Sequence, residues 1–333
     1  MTSSWPEINH MGFPDKESLL SSPCWVLLGP TAAGKTELTC ELGRRWPVEI
    51  VSVDSMQIYR GMDIGTAKPS SEQRREIPHH MIDVVDPEDE FDVSRFREMA
   101  LGIMESIRKR DNIPLLVCGT PLYLKALLWG LFEGPGADSE VRERLRKEAE
   151  LKGREHLHQR LAEVDPESGQ RVDPNDLRRI VRALEVYELT GRPISQRQDQ
   201  FDGPPDIEHI SVGLEWPREM LYERINQRVD RMLEEGLVEE VQELQGRLGR
   251  QASQAVGYKE LMAHFEGDIS FEEAVRLIKR NSRHLAKQQL NWFQRFPVPR
   301  WVKRSHRQSG DECLEKVQNS FLNLARQDIL SYD

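Results

Sequence analysis

No stretch of this 333-residue chain approaches the ~18 consecutive apolar residues of a membrane-crossing helix, and no membrane partner is expected. Cysteine is scarce. Cys24, Cys40, Cys118 and Cys313 form no CxxC pair and have no metal-ligand spacing, which fits a reducing, cytoplasmic compartment. Internal repeats and low-complexity tracts are lacking too. Residues 1–23 hold Pro6, Glu7, Pro14, Asp15 and Glu17 without an apolar core, so they read as a frayed tail rather than a secretory signal. Basic residues are in deficit overall: the net charge of −10 taken alone argues against a nucleic-acid partner.

The distribution of charge reverses that last exclusion. Between Arg276 and Arg307 lie ten Lys or Arg and no Asp or Glu, so the rest of the chain is twice as acidic as the whole. Such a block is a footprint for a polyanion, or else one solvated helix face.

The chain is long enough for two or three domains of ~100–200 residues. Short apolar runs at 24–29, 48–53 and 113–119 read as buried strands, with a further strand at 79–84. Helical periods follow them at 35–45, from Asp92 to about Arg110, and at 122–131. Strand–helix alternation predicts an α/β fold, a parallel sheet with helices on both faces. After Gly134-Pro135-Gly136 the pattern turns wholly helical to about Leu189, with Asp173-Pro174 expected to open one helix and Gly191 to stop it. A strand returns at 209–216, then helices at 218–235, 237–248 and 271–293. A terminal helix near 311–330 carries Leu314, Val317, Phe321 and Leu324 on one face. The organisation predicted is a tail (1–23), an α/β core (24–131 and 206–305), a helical insertion (132–205) and a C-terminal helix (306–333).

GPTAAGKT, from Gly29 through Pro30, Thr31, Ala32, Ala33, Gly34 and Lys35 to Thr36, matches GxxxxGK[ST] and sits between an apolar strand and a helix. Its glycines let successive amides wrap an anion at the positive end of a helix dipole. Lys35 supplies a point charge, and the Thr36 hydroxyl is suited to Mg²⁺. This P-loop recognises a diphosphate, a group common to nucleotides such as ATP and to prenyl diphosphates. In SVDSMQIYRGMDIGTAKP, Asp54 stands at the carboxyl end of the second strand, where open α/β sheets bind ligands.

In GPTAAGKTEL, SVDSMQIYRGMDIGTAKP, PHHMIDVVDP, GTPLYLKALLWGL, DPNDLRRIVRALEVYELTGRPIS, QAVGYKEL and RHLAKQQLNWF, the chain resembles the tRNA isopentenyltransferase (tRNA dimethylallyltransferase) family. These blocks cover about 24–302 in the family's order. The resemblance implies a P-loop core with an inserted helical domain. It implies transfer of the dimethylallyl group from dimethylallyl diphosphate to the exocyclic amine of the adenine 3′ of the anticodon, with Mg²⁺ and without ATP hydrolysis. Asp54 then matches the general base, Thr120 a threonine positioning the reacting groups, and Arg228 an arginine reaching the diphosphate, beside Lys35 and Thr36. RNA contacts map onto Asp54, Ser55, Met56 and Gln57; Thr120; Arg142; and Arg178, Arg179, Ile180, Val181 and Arg182. They map also onto Ser253, Gln254, Ala255, Val256, Gly257 and Tyr258, and onto Lys287, Gln288, Gln289, Leu290, Asn291, Trp292, Phe293 and Gln294. A monomer acting on the anticodon stem-loop of tRNA is expected. One departure is Cys118, where the family usually has a second glycine; at the end of an apolar strand it is expected to fill the core.

From spacing, Leu221, Ile225, Val229 and Met232 form a core-facing stripe. Arg224, Arg228 and Arg231 lie on the neighbouring stripe, either as a surface ion-pair face or as a clamp over the phosphate loop. Trp292 and Phe293 fit the core better than a stacking platform. A free-nucleotide prenyltransferase and a P-loop kinase or RNA-binding ATPase are the alternatives.

Overall fold

The computed structural model describes residues 23–131, 134–196, 203–298, 300–305 and 310–330, the last five of these by backbone alone. The expected tail lies outside them apart from Pro23. The chain divides into two compact units, one built from the residues up to Leu128 and from Ile207 onward, the other from Trp129 to Asp206.

The first unit is built on six strands: β1 (Cys24–Leu28), β2 (Val48–Val53), β3 (His79–His80), β4 (Ile113–Cys118), β5 (His209–Glu215) and β6 (Arg300–Lys303). All pair in parallel, in the order β3-β2-β4-β1-β5-β6. Residues of β1 are wholly buried, as the continuous apolar run requires of a strand covered on both faces. The strand expected at 79–84 is cut to two residues because Met81 and Asp83 take left-handed φ values of 61° and 55°, which end the extended run.

The helices between these strands are α1 (Lys35–Arg45), α2 (Ser71–Glu76), α3 (Val93–Arg108) and α4 (Pro121–Trp129), of which α1 packs on β2 and α3 on β2 and β4. The Asp92 carboxylate accepts from the Arg95 amide and so starts α3, as the sequence predicts. After β5 come α9 (Arg218–Glu234), α10 (Leu237–Glu243), α11 (Tyr258–Phe265) and α12 (Phe271–Phe293). The last helix, α13 (Gly310–Leu330), does not stand apart. Cys313, Leu314, Val317 and Phe321 join the core cluster that holds Trp25, Leu27, Leu42 and Trp46, with Leu324 partly buried against it. The rings of Phe321 and Trp25 stack with centroids 4.7 Å apart.

The second unit is helical: α5 (Ser139–Lys152), α6 (Arg154–Val164), α7 (Pro166–Arg171) and α8 (Leu177–Thr190), around Leu145, Leu157, Leu161, Ile180 and Leu184. The helix start expected at Asp173-Pro174 is displaced. Asp176 caps α8 by accepting from the Arg179 amide, and the proline at a first helical position is Pro166, capped by Asp165. Gly191 ends α8 in the left-handed conformation (φ 68°), as read from the sequence.

Candidate active site

The carboxyl ends of β1, β4 and β2, three adjacent strands, open into one cleft of about 810 Å³ in the first unit. This is the side on which open α/β sheets bind ligands. Thr31 to Thr36 line it from β1, Asp54, Met56 and Gln57 from β2, and Gly119 from β4. Arg224, Arg228 and Arg231 line it from α9.

The glycine-rich loop is shaped by what happens to its carbonyls. Lys35 Nζ donates to the carbonyls of Gly29 (2.7 Å) and Pro30 (3.0 Å). Arg224 Nε donates to that of Ala32 (3.0 Å), and Trp216 Nε1 to that of Ala33 (3.1 Å). Arg224 also stacks on the Trp216 ring at 4.5 Å. With these carbonyls engaged behind the loop, left-handed Ala32 (φ 62°) and Gly34 (φ 87°) curl the chain into the start of α1. The helix N-terminus is thereby set at the cleft, an arrangement suited to an anion.

Burial lowers the Lys35 ammonium to about 8, against the favourable charge of Asp54. Burial likewise lowers the Arg228 guanidinium to about 10, with Asp54 opposing the shift. The Asp54 carboxylate is therefore within electrostatic reach of both cations. Its Oδ1 accepts from the amides of Met56 (2.9 Å) and Gln57 (3.4 Å), while Oδ2 has no hydrogen-bond partner among the described residues. Gly119 lies so close that a Cβ there would stand 2.6 Å from Oδ2. Thr120 Oγ1 accepts from the Ser55 amide (3.0 Å) and pairs with its hydroxyl (3.3 Å), so it holds the loop that carries Asp54.

Arg228 makes no ion pair or hydrogen bond among the described residues, and the stripe beside it (Leu221, Ile225, Val229, Met232) is buried. Arg228 is thus a half-buried, unpaired guanidinium on the cleft wall rather than a member of a surface ion-pair row. Cys118 is fully buried between its sheet partners Val53 and Leu28, as expected of a core filler. Burial pushes its thiol up.

The segment after Asp54 is fixed by a carboxylate that the sequence reading did not single out. Glu240 on α10 accepts from the amides of Asp63 (2.8 Å), Ile64 (2.7 Å) and Gly65 (3.0 Å) and from the Tyr258 hydroxyl (2.5 Å). Arg224, Trp216 and Glu240 carry no motif signal, since their partners lie far away in sequence; only the spacing of the arginine row hinted at the first.

The residues mapped to RNA contact divide by exposure. Ala255, Val256 and Gly257 line the cleft with Met56 and Gln57. Lys287, Gln288 and Asn291 on α12, Gln294 just after it, Gln254, and Arg178 and Arg179 on α8 are exposed. Ser253, Leu290 and Trp292 are half-buried. The side chains of Ile180, Val181, Tyr258 and Phe293 are buried, and Gln289, also buried, lines the cleft. In the helical unit Arg142 and Arg182 both pair with the buried Glu185, at 2.8 Å and 2.7 Å. Part of the basic block is also neutralised, since Arg276 pairs with Glu273 and Lys279 with Asp230, both at 2.5 Å.

Comparison with known proteins follows the same lines. The family model for IPP transferase matches residues 57–296. A tRNA dimethylallyltransferase of Pelotomaculum thermopropionicum is 47% identical over 287 residues, covering 84% of this chain and 90% of that protein. The crystal structure of a full-length tRNA isopentenylpyrophosphate transferase from Bacillus halodurans superposes with a TM-score of 0.70 at 37% identity, covering 93% of this chain and 99% of that one. A eukaryotic dimethylallyltransferase caught acting on tRNA superposes with a TM-score of 0.74 at 26% identity, covering 91% of this chain and 80% of that one.

Proposed function

The chain belongs to the IPP transferase family, and from that premise we propose that it prenylates tRNA. In this reading dimethylallyl diphosphate gives its five-carbon group to the exocyclic amine of the adenine 3′ of the anticodon, releasing diphosphate.

The observation that carries the reading is the free oxygen of Asp54 facing a cleft lined by Lys35 and Arg228. An aromatic amine is a poor nucleophile. As its nitrogen bonds to the allylic carbon, the carbon–oxygen bond to diphosphate breaks and that electron pair leaves with the diphosphate. Asp54 Oδ2 takes the amine proton, as a general base. Lys35, Arg228 and the amides at the start of α1 face the growing negative charge, and preorganised donors of this kind are usually the largest electrostatic contribution. Thr120 keeps the Asp54 loop in register.

The Thr36 hydroxyl has no hydrogen-bond partner among the described residues, and these hold no group of three or more His, Cys, Asp or Glu able to ligate a metal. That donor set suits Mg²⁺, which keeps several waters and is held by one or two protein oxygens together with substrate phosphates. Thr36 would hold the ion, which would add positive charge at the leaving group.

The target adenine must leave its loop to reach the cleft, at a cost of a few kcal/mol. Arg178, Arg179 and Lys287 are proposed to meet the tRNA backbone, with Arg142 and Arg182 held ready by Glu185. The test is to incubate the protein with dimethylallyl diphosphate and Mg²⁺, offering unmodified tRNA or AMP, and to weigh the products. A gain of one five-carbon unit on tRNA alone supports the proposal. A gain on AMP alone identifies a free-nucleotide enzyme, and steady ATP hydrolysis without transfer identifies an ATPase.

A further inference from the structure

Gln289 lies on α12 with 6% of its surface exposed, and both ends of its amide are engaged. Its Oε1 accepts from the Thr31 amide at 2.8 Å, and its Nε2 donates to the Gly119 carbonyl at 2.6 Å. Both partners are backbone groups of fixed polarity, so the orientation of the side-chain amide is determined. Thr31 belongs to the loop that receives the diphosphate. Gly119 packs directly against Asp54 Oδ2 and precedes Thr120, which holds Ser55. One side chain thus ties the anion-binding half of the cleft to the half that accepts the proton.

We propose that Gln289 is a positioning residue, which fixes the distance between the phosphate loop and the Asp54 carboxylate. This rests on the prenyl-transfer reading and deepens it. The amine, the allylic carbon and the diphosphate must line up across that gap, and a misplacement of about 1 Å can cost about 100-fold in rate. An apolar side chain at 289 leaves a partly buried donor on one loop and a buried acceptor on the other without partners, so both loops shift to recover them.

The test uses Gln289→Met, similar in length but unable to make either bond, and Gln289→Asn, polar but one methylene too short to span both partners. Single-turnover transfer to unmodified tRNA at saturating dimethylallyl diphosphate is measured for each, alone and combined with Thr120→Ala. Equilibrium tRNA binding and thermal melting are measured alongside. Both variants are expected to transfer about 10–100-fold more slowly while holding tRNA within about threefold of wild type. The Gln289→Met, Thr120→Ala double variant should lose less than the product of the single losses, because both residues act on one carboxylate. A loss of folding alone would not produce that shortfall. Should Gln289→Met fail to fold, Gln289→Asn carries the same comparison. Wild-type rates, strictly multiplicative losses, or collapse of tRNA affinity with the saturated rate intact would each overturn the inference. Absence of transfer by the wild-type protein would instead overturn the prenyl-transfer reading itself.

Discussion

Asp54 commits one oxygen to the amides of its own loop and leaves the other open to the cleft. Asp54→Asn keeps the shape and the amide contacts but removes the proton acceptor. Turnover should fall ~10²–10⁴-fold, the usual contribution of a general base, with tRNA binding nearly unchanged. Equal losses of binding and turnover would make it a recognition residue. Arg228 tests the other half of the chemistry. Its guanidinium can hold two diphosphate oxygens at once, and the attraction grows as charge accumulates on the leaving group. Arg228→Gln should lower kcat by ~10²–10³, as for loss of one charge-stabilising donor, and keep the tRNA Kd within about threefold. Arg228→Lys should recover only part of the rate, since an ammonium lacks the two-pronged geometry. Normal turnover by the Gln variant would remove Arg228 from the site. At this scale the motif residues were legible in the sequence because their chemistry is local: Gly29 to Thr36 and Asp54 lie at strand ends. Trp216, Arg224 and Glu240 were not, because what they hold is set by folding: the Trp216 bond to Ala33 spans 183 residues.

Elements are joined by polar contacts as well as by the core. Glu49 on β2 is 3% exposed and receives Arg110 (2.7 Å), Asn112 (2.8 Å) and His80 (2.7 Å), joining β2 to β3 and to the turn before β4. Burial pushes its carboxyl up, but those hydrogen bonds and the Arg110 charge outweigh burial and hold it at about 2 against an ordinary 4.5. The folded-state value is depressed, so the stabilisation is present above pH 4.5 and is lost as pH falls from there through about 2. It is on the order of 3 kcal/mol. Urea unfolding at neutral pH and at about pH 3 should show a smaller acid loss for Glu49→Gln than for wild type, and equal slopes would refute the assignment.

The C-terminal helix gives a second element-scale prediction. Phe321 stacks on Trp25 inside the core, so Phe321→Ala should destabilise the first unit by about 3–5 kcal/mol, measured by urea unfolding. A change under about 0.5 kcal/mol, as at an ordinary surface site, would mean that the helix merely rests on the sheet. Helices with strong periods were legible nearly to the residue, as at 271–293. The short β6 and α11 were not, because four and eight residues give too little periodicity to distinguish from a turn. The start of α8 was misplaced because Asp173 and Asp176 both suit a cap and only one meets a free amide three residues on.

Across the whole molecule, an acidic chain sets Lys35 and the three arginines of α9 at the cleft, beside Lys68 and Arg74, and carries exposed cations on α8 and α12. No helix among the described residues is long and apolar enough to cross a membrane. The helical insertion was legible as a change of period, and its division at Trp129 and Asp206 lies within a few residues of the composition shift. The cleft itself was not legible, since it exists only once β1, β4 and β2 stand side by side. The central claim is that this cleft joins a five-carbon group to one adenine of tRNA with Asp54 as the base. Its most direct test is single-turnover transfer to unmodified tRNA by wild type and Asp54→Asn, with nuclease fragments weighed to locate the added group. The account predicts one labelled adenine, immediately 3′ of the anticodon, reached by both proteins but ~10²–10⁴-fold more slowly by the variant. Label scattered over several nucleotides, or an Asp54→Asn rate equal to wild type, would contradict it.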